Sequence, residues 1–315
     1  MRTKTNLWVM TDGSQGMISQ VKGLAEHIDS NFQEKIIKLK WPWSILQPGI
    51  LPIYKNIFNI DFIERDLPKI LITCGRKSVY ASIYLKKKLK DKITTIHIQD
   101  PKINTNKFDY VVSPNHDKLK GDNVITSFGA IHNLTEEIIS NSQKIFEIPN
   151  NKKIVTIILG GENNHYKLTN IEINKLISLI EKLNNLEEKY YFLFVSSRRT
   201  DLKLIDILKN KFTKKYYVWD KSSINPYKYS LKISDYIILT SDSTSMISEA
   251  TITGKPIFIF HLPFKRKSLR FESFHREFQQ KGITRPFEDR LYSWSYEPLN
   301  EAKRIAGILN TKILK

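Results

Sequence analysis

The residue types best suited to chemistry gather between Tyr236 and Phe260. An apolar run, Tyr236 to Leu239, ends in Thr240-Ser241-Asp242-Ser243-Thr244-Ser245. A helix-compatible stretch, Met246 to Thr253, follows and stops at Gly254-Lys255-Pro256, where a second apolar run, Ile257 to Phe260, begins. That order predicts a strand, a capped helix start, a short helix and a parallel strand. A Ser or Asp cap satisfies one amide of the helix start, and the remaining N–H groups, with the positive dipole end, suit an anion. Glu249 falls about one to two turns inside the helix, where a carboxylate could bind a ribose hydroxyl. An ordinary crossover helix carries the same cap, so the pattern also fits a plain α/β domain.

Other predicted strands end in comparable residues. Leu7 to Met10 runs into Thr11-Asp12-Gly13-Ser14-Gln15-Gly16, and Lys69 to Thr73 into Cys74-Gly75-Arg76-Lys77-Ser78. The two cations and the hydroxyl of the latter suit an anionic group. Ile93 to Gln99 leads to Asp100-Pro101, and Asp109 to Val112 to Ser113-Pro114-Asn115-His116-Asp117. Val124-Ile125-Thr126 leads to Phe128-Gly129-Ala130-Ile131-His132. Further on, Ile154 to Leu159 ends in Gly160-Gly161-Glu162-Asn163-Asn164-His165, and Tyr190 to Val195 in Ser196-Ser197-Arg198-Arg199-Thr200. The carboxyl ends of parallel strands are where an α/β sheet places its ligands. Gly-x-Gly-x-x-Gly is absent, which excludes an NAD-binding Rossmann reading.

Those strands need helices between them. Apolar periodicity predicts helices over Met17–Ile28, Thr169–Leu186, Leu269–Lys281 and Asn300–Leu309, with one after Thr200 to Lys211 and a short one after Tyr227. Lys35–Leu39 reads as the second strand, Tyr216–Trp219 as a later one, and Gly282–Pro286 as a turn. Trp41-Pro42-Trp43 to Pro52 is an aromatic, proline-broken loop. It is expected to pack over its domain, with a membrane or partner contact as the alternative. The polar stretch Lys144–Lys152 marks the domain boundary, giving an N-terminal domain over 1–148 and a C-terminal domain over 149–315, the last helix being a candidate to pack back on the first.

At 315 residues the chain has room for two cores, and its 41% hydrophobic and 26% charged content is that of an ordinary globular protein. No run of eighteen or more apolar residues occurs, so no membrane span is expected. Met1-Arg2-Thr3-Lys4-Thr5-Asn6 lacks a leader's apolar core, and the single cysteine, Cys74, excludes an internal disulfide. A cytosolic protein is expected. Fifty Lys and Arg against 32 Asp and Glu give a net charge of +18. This favours anionic partners, among them the acidic inner face of a membrane. No nucleic-acid motif is present, and no nucleic acid is expected as a partner.

Two successive βα domains with strand-end sites facing a common cleft resemble the GT-B plan of nucleotide-sugar glycosyltransferases. The sequence itself resembles the elongated-mitochondria family, the mitochondrial fission proteins of plants and their bacterial relatives. The residues that carry this are Trp8 through Asp12-Gly13 and Gly16, Gln20 with Gly23-Leu24-Ala25, Cys74-Gly75-Arg76 before Ser78, and Gln99-Asp100-Pro101. Phe108-Asp109, Pro114-x-His116-Asp117, Asn123-Val124 and Thr126-x-x-Gly129-Ala130 continue it. The second half adds Gly160-Gly161, Ser197-Arg198-Arg199-Thr200, Ser241-Asp242-Ser243-x-Ser245-Met246-x-Ser248-Glu249-Ala250, Gly254-Lys255-Pro256 and Tyr296-x-Pro298-Leu299.

The resemblance implies an α/β fold of two Rossmann-like domains facing a cleft, the first on the acceptor side and the second on the nucleotide-sugar donor side. For plant members it implies recruitment of a dynamin-type GTPase to mitochondria, a role that does not transfer to a bacterial chain. The mechanism that fits is transfer of a sugar from a nucleotide donor. Ser243, Thr244 and Ser245 would hold the diphosphate and Glu249 the ribose. Gly160 and Gly161 would let the backbone approach the ligand, and Arg198 and Arg199 would balance the leaving diphosphate. No Asp-x-Asp motif occurs and no metal or other cofactor is expected. An acceptor hydroxyl needs a general base, for which Asp12, His116 and Asp117 are the candidates, a turn, cap or loop-ordering role being the alternative for each. A nucleotide-sugar epimerase or hydrolase on the same fold, and a non-catalytic adaptor, are the competing readings.

Overall fold

The computed structural model describes residues 6–59, 67–186 and 189–313; Met1–Thr5, most of the stretch read as lacking a leader, lie outside them. The contacts divide the chain into two units, Met1–Leu134 with Asn300–Lys315, and Thr135–Leu299. The polar stretch 144–152 therefore lies within the second unit.

In the first unit the chain runs β1 (Leu7–Thr11), α1 (Gln15–Glu26), β2 (Phe32–Ile36), β3 (Ile70–Cys74), α2 (Arg76–Leu89), β4 (Thr94–Ile98), β5 (Tyr110–Pro114) and β6 (Val124–Ser127). All pairings are parallel, in the order β2-β1-β3-β4-β5-β6. A parallel sheet is covered on both faces, so its strands read as near-continuous apolar runs. In β1, Leu7 and Val9 pack with Val21, Leu24 and Ala25 of α1, while Trp8 and Met10 pack with Tyr80, Ala81 and Leu85 of α2. Ala302, Ile305 and Leu309 of the C-terminal helix join the α1 face.

The apolar residues read as a strand over Lys35–Leu39 sit differently. The edge strand β2 ends at Ile36, in register with Thr11, and Ile37 and Leu39 leave the sheet to enter the core beside α2. An edge strand needs few apolar residues, and the pattern over Phe32–Ile36 is mostly exposed.

The second unit contains α3 (Glu136–Ser140), β7 (Lys153–Leu159), α4 (Asn170–Leu186), β8 (Tyr190–Ser196), α5 (Leu202–Phe212), β9 (Tyr217–Trp219), α6 (Tyr227–Ile233), β10 (Tyr236–Thr240), α7 (Thr244–Ala250), β11 (Ile257–Phe260), α8 (Leu269–Gln280) and β12 (Thr284–Pro286). Its sheet is again parallel, ordered β12-β11-β10-β7-β8-β9. Gly282–Pro286, read as a turn, supplies this edge strand, which a terminal proline tolerates because its missing N–H falls where pairing ends. The short helix α3 was not anticipated. Thr135 caps it, accepting from the Ile138 amide at 3.1 Å, with Glu136 and Glu137 in its first turn.

The chain closes with α9 (Glu301–Ile313), which returns to the first unit. Glu301 is buried and accepts from the Phe128 amide at 2.6 Å, while Arg304 bonds both Glu301 and the Thr126 carbonyl. That network ties the helix start to the end of β6. On the same face, Gly23 of α1 meets the segment after β6: a Cβ there would lie 2.2 Å from the His132 carbonyl oxygen.

Gly23→Ala is therefore expected to destabilise the protein by about 1–3 kcal/mol through overpacking. This runs against the gain of roughly 1 kcal/mol that alanine brings to a helix interior. Thermal unfolding checks it, and an unchanged or higher Tm would contradict the close contact.

Candidate functional site

Strand order fixes where a ligand crevice opens. From β7 the chain moves outward through β8 and β9, then crosses to the other side of β7 for β10, β11 and β12. Connections leaving β7 and β10 thus diverge, and a crevice opens at their carboxyl ends. Gly160-Gly161 follow β7 there, and Ser241 to Ser245 follow β10.

Asp242 occupies this point. Its buried carboxylate accepts from the Gly161 amide at 3.1 Å, the Thr240 hydroxyl at 2.6 Å and the Arg199 guanidinium at 2.7 Å. The Thr240 hydroxyl in turn accepts from the Gly160 amide at 2.7 Å. Asn163 donates to the Asp242 carbonyl at 3.2 Å, and the Thr200 hydroxyl donates to the Leu159 carbonyl at 2.9 Å. A Cβ on Gly160 would lie 2.1 Å from the Asp242 carboxylate, and one on Gly161 2.1 Å from the Arg199 carbonyl oxygen. The two glycines thus leave room for Asp242 and for the turn after β8. Burial pushes the Asp242 carboxyl up, while Thr240, Arg199 and the Gly161 amide draw it back towards the ionised form.

Beside it, Ser243 caps α7, its hydroxyl accepting a long bond of 3.4 Å from the Met246 amide. Ser243, Thr244 and Ser245, at the start of α7, are half-buried. Farther along α7, half-buried Glu249 accepts from the Tyr227 hydroxyl at 2.8 Å. Burial raises the Glu249 carboxyl, and the Tyr227 bond opposes the rise; burial and the Glu249 charge together push Tyr227 well up, so its phenol stays protonated and donates. Arg198 is exposed next to the Arg199–Asp242 pair. A cavity of about 720 Å³ opens on the β7–β8 side, lined by Glu162, Thr169, Arg199, Asp201, Lys203 and Leu204 among others.

Behind the crevice, His275 of α8 lies 2.8 Å from the Ser241 carbonyl. A carbonyl only accepts, so Nε2 carries the proton. Burial, with the His261 ring 5.3 Å away, lowers the His275 pKa to about 4.

In the first unit the corresponding crevice lies between β1 and β3. Asp12, half-buried, follows β1; it accepts from the Ser14 amide at 3.1 Å and lies 3.9 Å from the Lys77 ammonium. Arg76 turns away from this crevice and donates to the Ser44 and Leu46 carbonyls. His116 and Asp117 follow β5, with His116 buried and its Nε2 3.8 Å from Asp117. Strands β3 and β4 separate β1 from β5, an offset of about 14 Å at ordinary strand spacing. The three base candidates are therefore not brought together. In the second unit Gly160, Gly161 and Arg199 do converge, on Asp242, and Ser243, Thr244 and Ser245 follow it directly in the chain. Sequence reasoning missed Asp242, Tyr227, Thr200 and His275 as organising residues. Asp242 stood in view inside the hydroxyl-rich run, but nothing in the run said which side chain would turn inward.

Several motif residues explain one another within the second unit. Gly254 has φ +64°, and a Cβ there would meet Pro298 at 3.1 Å. The Tyr296 hydroxyl donates to the Lys255 carbonyl at 2.9 Å, and the Lys255 ammonium caps the end of α6 through the Leu231 and Lys232 carbonyls.

Two parallel α/β sheets of six strands each, with ligand crevices at their switch points, define a GT-B-like protein. Solved structures agree. A UDP-GlcNAc 2-epimerase from Methanocaldococcus jannaschii superposes with a TM-score of 0.57 at 15% identity, over 97% of this chain and 99% of that one. The glycotransferase of kitacinnamycin gives 0.56 at 10% identity, over 99% and 100%. At these identities the likeness is one of fold. The chain belongs to the Mitochondrial fission ELM1 family, whose profile matches residues 15–313. Protein RP120 of Rickettsia prowazekii (strain Madrid E) is 28% identical over 96% of this chain and 97% of its own length. The Mitochondrial fission protein ELM1 of Arabidopsis thaliana is 25% identical over 84% and 67%.

Removing the Asp242 carboxylate leaves the Gly161 amide and the Thr240 hydroxyl without their acceptor. Asp242→Ala should cost about 2 kcal/mol, partly exposed Arg199 being freed to reach water. In a unit of this size that is a fall in Tm of about 4–8 °C, and an unchanged Tm would contradict the network. His275 generates a second expectation. It stays neutral when folded down to about pH 4 but takes a proton below pH 6.5 once unfolded, so its contribution is complete above pH 6.5 and is lost as pH falls towards about 4. Raised carboxyls such as Asp242 and Glu249 act in the opposite sense on acidification. Comparison with His275→Gln isolates the histidine: the variant's Tm should fall less steeply over that window, and equal slopes would contradict the assignment.

Proposed function

We propose that the second unit binds the nucleoside diphosphate of a nucleotide sugar and that the protein transfers the sugar to an acceptor. The observation that carries this reading is the alignment along α7, at a topological switch point, of three half-buried hydroxyls followed by a carboxylate braced by a protonated tyrosine. On this reading Ser243, Thr244 and Ser245 bind phosphate oxygens, and Glu249 accepts bonds from the ribose hydroxyls. Tyr227 fixes the carboxylate's orientation. Arg198 neutralises charge that develops on the leaving diphosphate, the electrostatic contribution such a transfer requires. Arg199 contributes through Asp242, holding the glycine turn in place. Gly160 and Gly161 set the close approach of that turn to β10.

For the acceptor half we assign Asp12 as general base. Its carboxylate is half-buried, whereas His116 is enclosed. The likeness to UDP-GlcNAc 2-epimerases supports a second reading, in which the bound nucleotide sugar is isomerised or hydrolysed. That chemistry needs acid and base groups around the sugar. The two carboxylates of the α7 region are already engaged, Asp242 by three donors and Glu249 by Tyr227, which favours transfer.

Calorimetric titration against UDP-, GDP-, ADP- and CMP-sugars tests the reading. Saturable binding of one nucleotide class is expected, and Glu249→Ala should weaken it roughly tenfold or more, the loss of one or two charge-assisted bonds. No binding by folded protein, or unchanged affinity in the variant, would contradict the assignment. Consumption of the bound sugar nucleotide without an acceptor would favour the second reading.

A further inference from the structure

The first unit carries a surface that nucleotide-sugar binding does not use. Five of the eleven large apolar side chains exposed among the described residues fall between Ile36 and Tyr54. Trp41 is 77% exposed, Ile45 67% and Ile50 61%. The expected packing of this loop over its domain is only partly seen: Trp43 and Ile53 lie against the core beside α2, while Trp41, Ile45 and Ile50 stand out in solvent.

The loop is well tied where it faces the protein. Arg76 donates to the Ser44 and Leu46 carbonyls, and the Tyr80 hydroxyl donates to the Leu46 carbonyl at 3.0 Å. The Trp43 indole donates to the Pro52 carbonyl at 3.1 Å and its ring meets Tyr54 edge-on at 5.4 Å. Amides of Ser44, Ile45 and Leu46 bond back to the Lys40 and Pro42 carbonyls, and Lys40 and Leu39 pair with Ile57 and Phe58 at its base. The backbone groups at 44–46 and at the base of the loop are thus satisfied within the protein, so they lose no partner if the exposed apolar side chains leave water.

Charge selects the occupant. From Lys35 to Asn59 the chain has four lysines and no Asp or Glu. Lys38 and Lys40 are exposed at the foot of the loop. Among the described residues no helix is long and apolar enough to cross a membrane, so a lipid contact by these elements would be peripheral. A tryptophan and two isoleucines exposed on an anchored loop, with lysines at its foot, match the interface of an anionic bilayer: apolar side chains enter the acyl boundary, the indole sits at headgroup level and the ammonium groups meet lipid phosphates.

We propose that the loop Trp41–Tyr54 inserts into the surface of an anionic lipid bilayer. Insertion would hold the enzyme-like fold at a membrane and does not depend on what the second unit binds. The test is co-sedimentation of the full chain with vesicles of phosphatidylcholine and with vesicles of equimolar phosphatidylcholine and phosphatidylglycerol. Binding to the anionic vesicles is expected. Combined Trp41→Ser, Ile45→Ser and Ile50→Ser should reduce it roughly tenfold or more, with the Tm unchanged because the three side chains stand in solvent. Lys38→Glu with Lys40→Glu should remove most of the preference for anionic vesicles. Independently of any multiple variant, fluorescence quenching by bromine-labelled lipid should drop in Trp41→Phe. Absence of vesicle binding by the native chain, equal binding by the triple variant, or equal quenching in Trp41→Phe would overturn the proposal. So would loss of a self-associated species in the triple variant when the native chain binds no vesicle, which would assign the surface to a second copy.

Discussion

The second unit depends on one buried carboxylate. Asp242 joins the ends of three neighbouring strands, β10 by its own position and Thr240, β7 through the Gly161 amide, and β8 through Arg199. Burying a carboxylate is unfavourable unless donors surround it, and here the donors come from each strand end that must be held. The glycines follow from this: no larger residue at 160 or 161 leaves space for the carboxylate or for the turn after β8. Once the three turns are fixed, α7 starts at a defined place, with Ser243 as its cap.

The architecture was largely visible in the sequence because parallel strands covered on both faces are unbroken apolar runs, and most predicted runs became strands within a residue or two. The edges were harder to read. β2 is mostly exposed and gave no apolar signal, so Ile36, Ile37 and Leu39 drew the expectation three residues too far along the chain. β12 is three residues long and ends in proline, which reads as a turn until a neighbouring strand is known to pair with it. The site was readable as a set of residue types and not as a geometry. Gly160, Gly161, Arg199 and Ser243 were singled out, yet the glycines accommodate Asp242, and Arg199 is engaged by that same carboxylate. Which member of Ser241-Asp242-Ser243 turns inward is decided by the space above Gly160, a contact between residues 82 positions apart that no local pattern encodes.

Membership of the Mitochondrial fission ELM1 family and the GT-B-like fold together explain why the residues that carried the resemblance cluster at strand ends and helix contacts. Gln20 meets Gln99, Gly23 meets His132, and Gly254 meets Pro298. Such pairs keep the scaffold's close approaches. Ser243, Thr244, Ser245 and Glu249, which follow β10, are not engaged among the described residues in such contacts between distant turns beyond the Glu249–Tyr227 bond, and it is on them that the proposed ligand site rests.

The proposed ligand site lies at the β7–β10 switch point. Hydrogen exchange of the backbone amides, recorded with and without each of the four nucleotide-sugar classes, reads it segment by segment. One class is expected to slow exchange in 160–163 and in 241–250 of the native chain, and Glu249→Ala to lose this protection. Protection confined to residues outside those two segments, or none with any class, would contradict it.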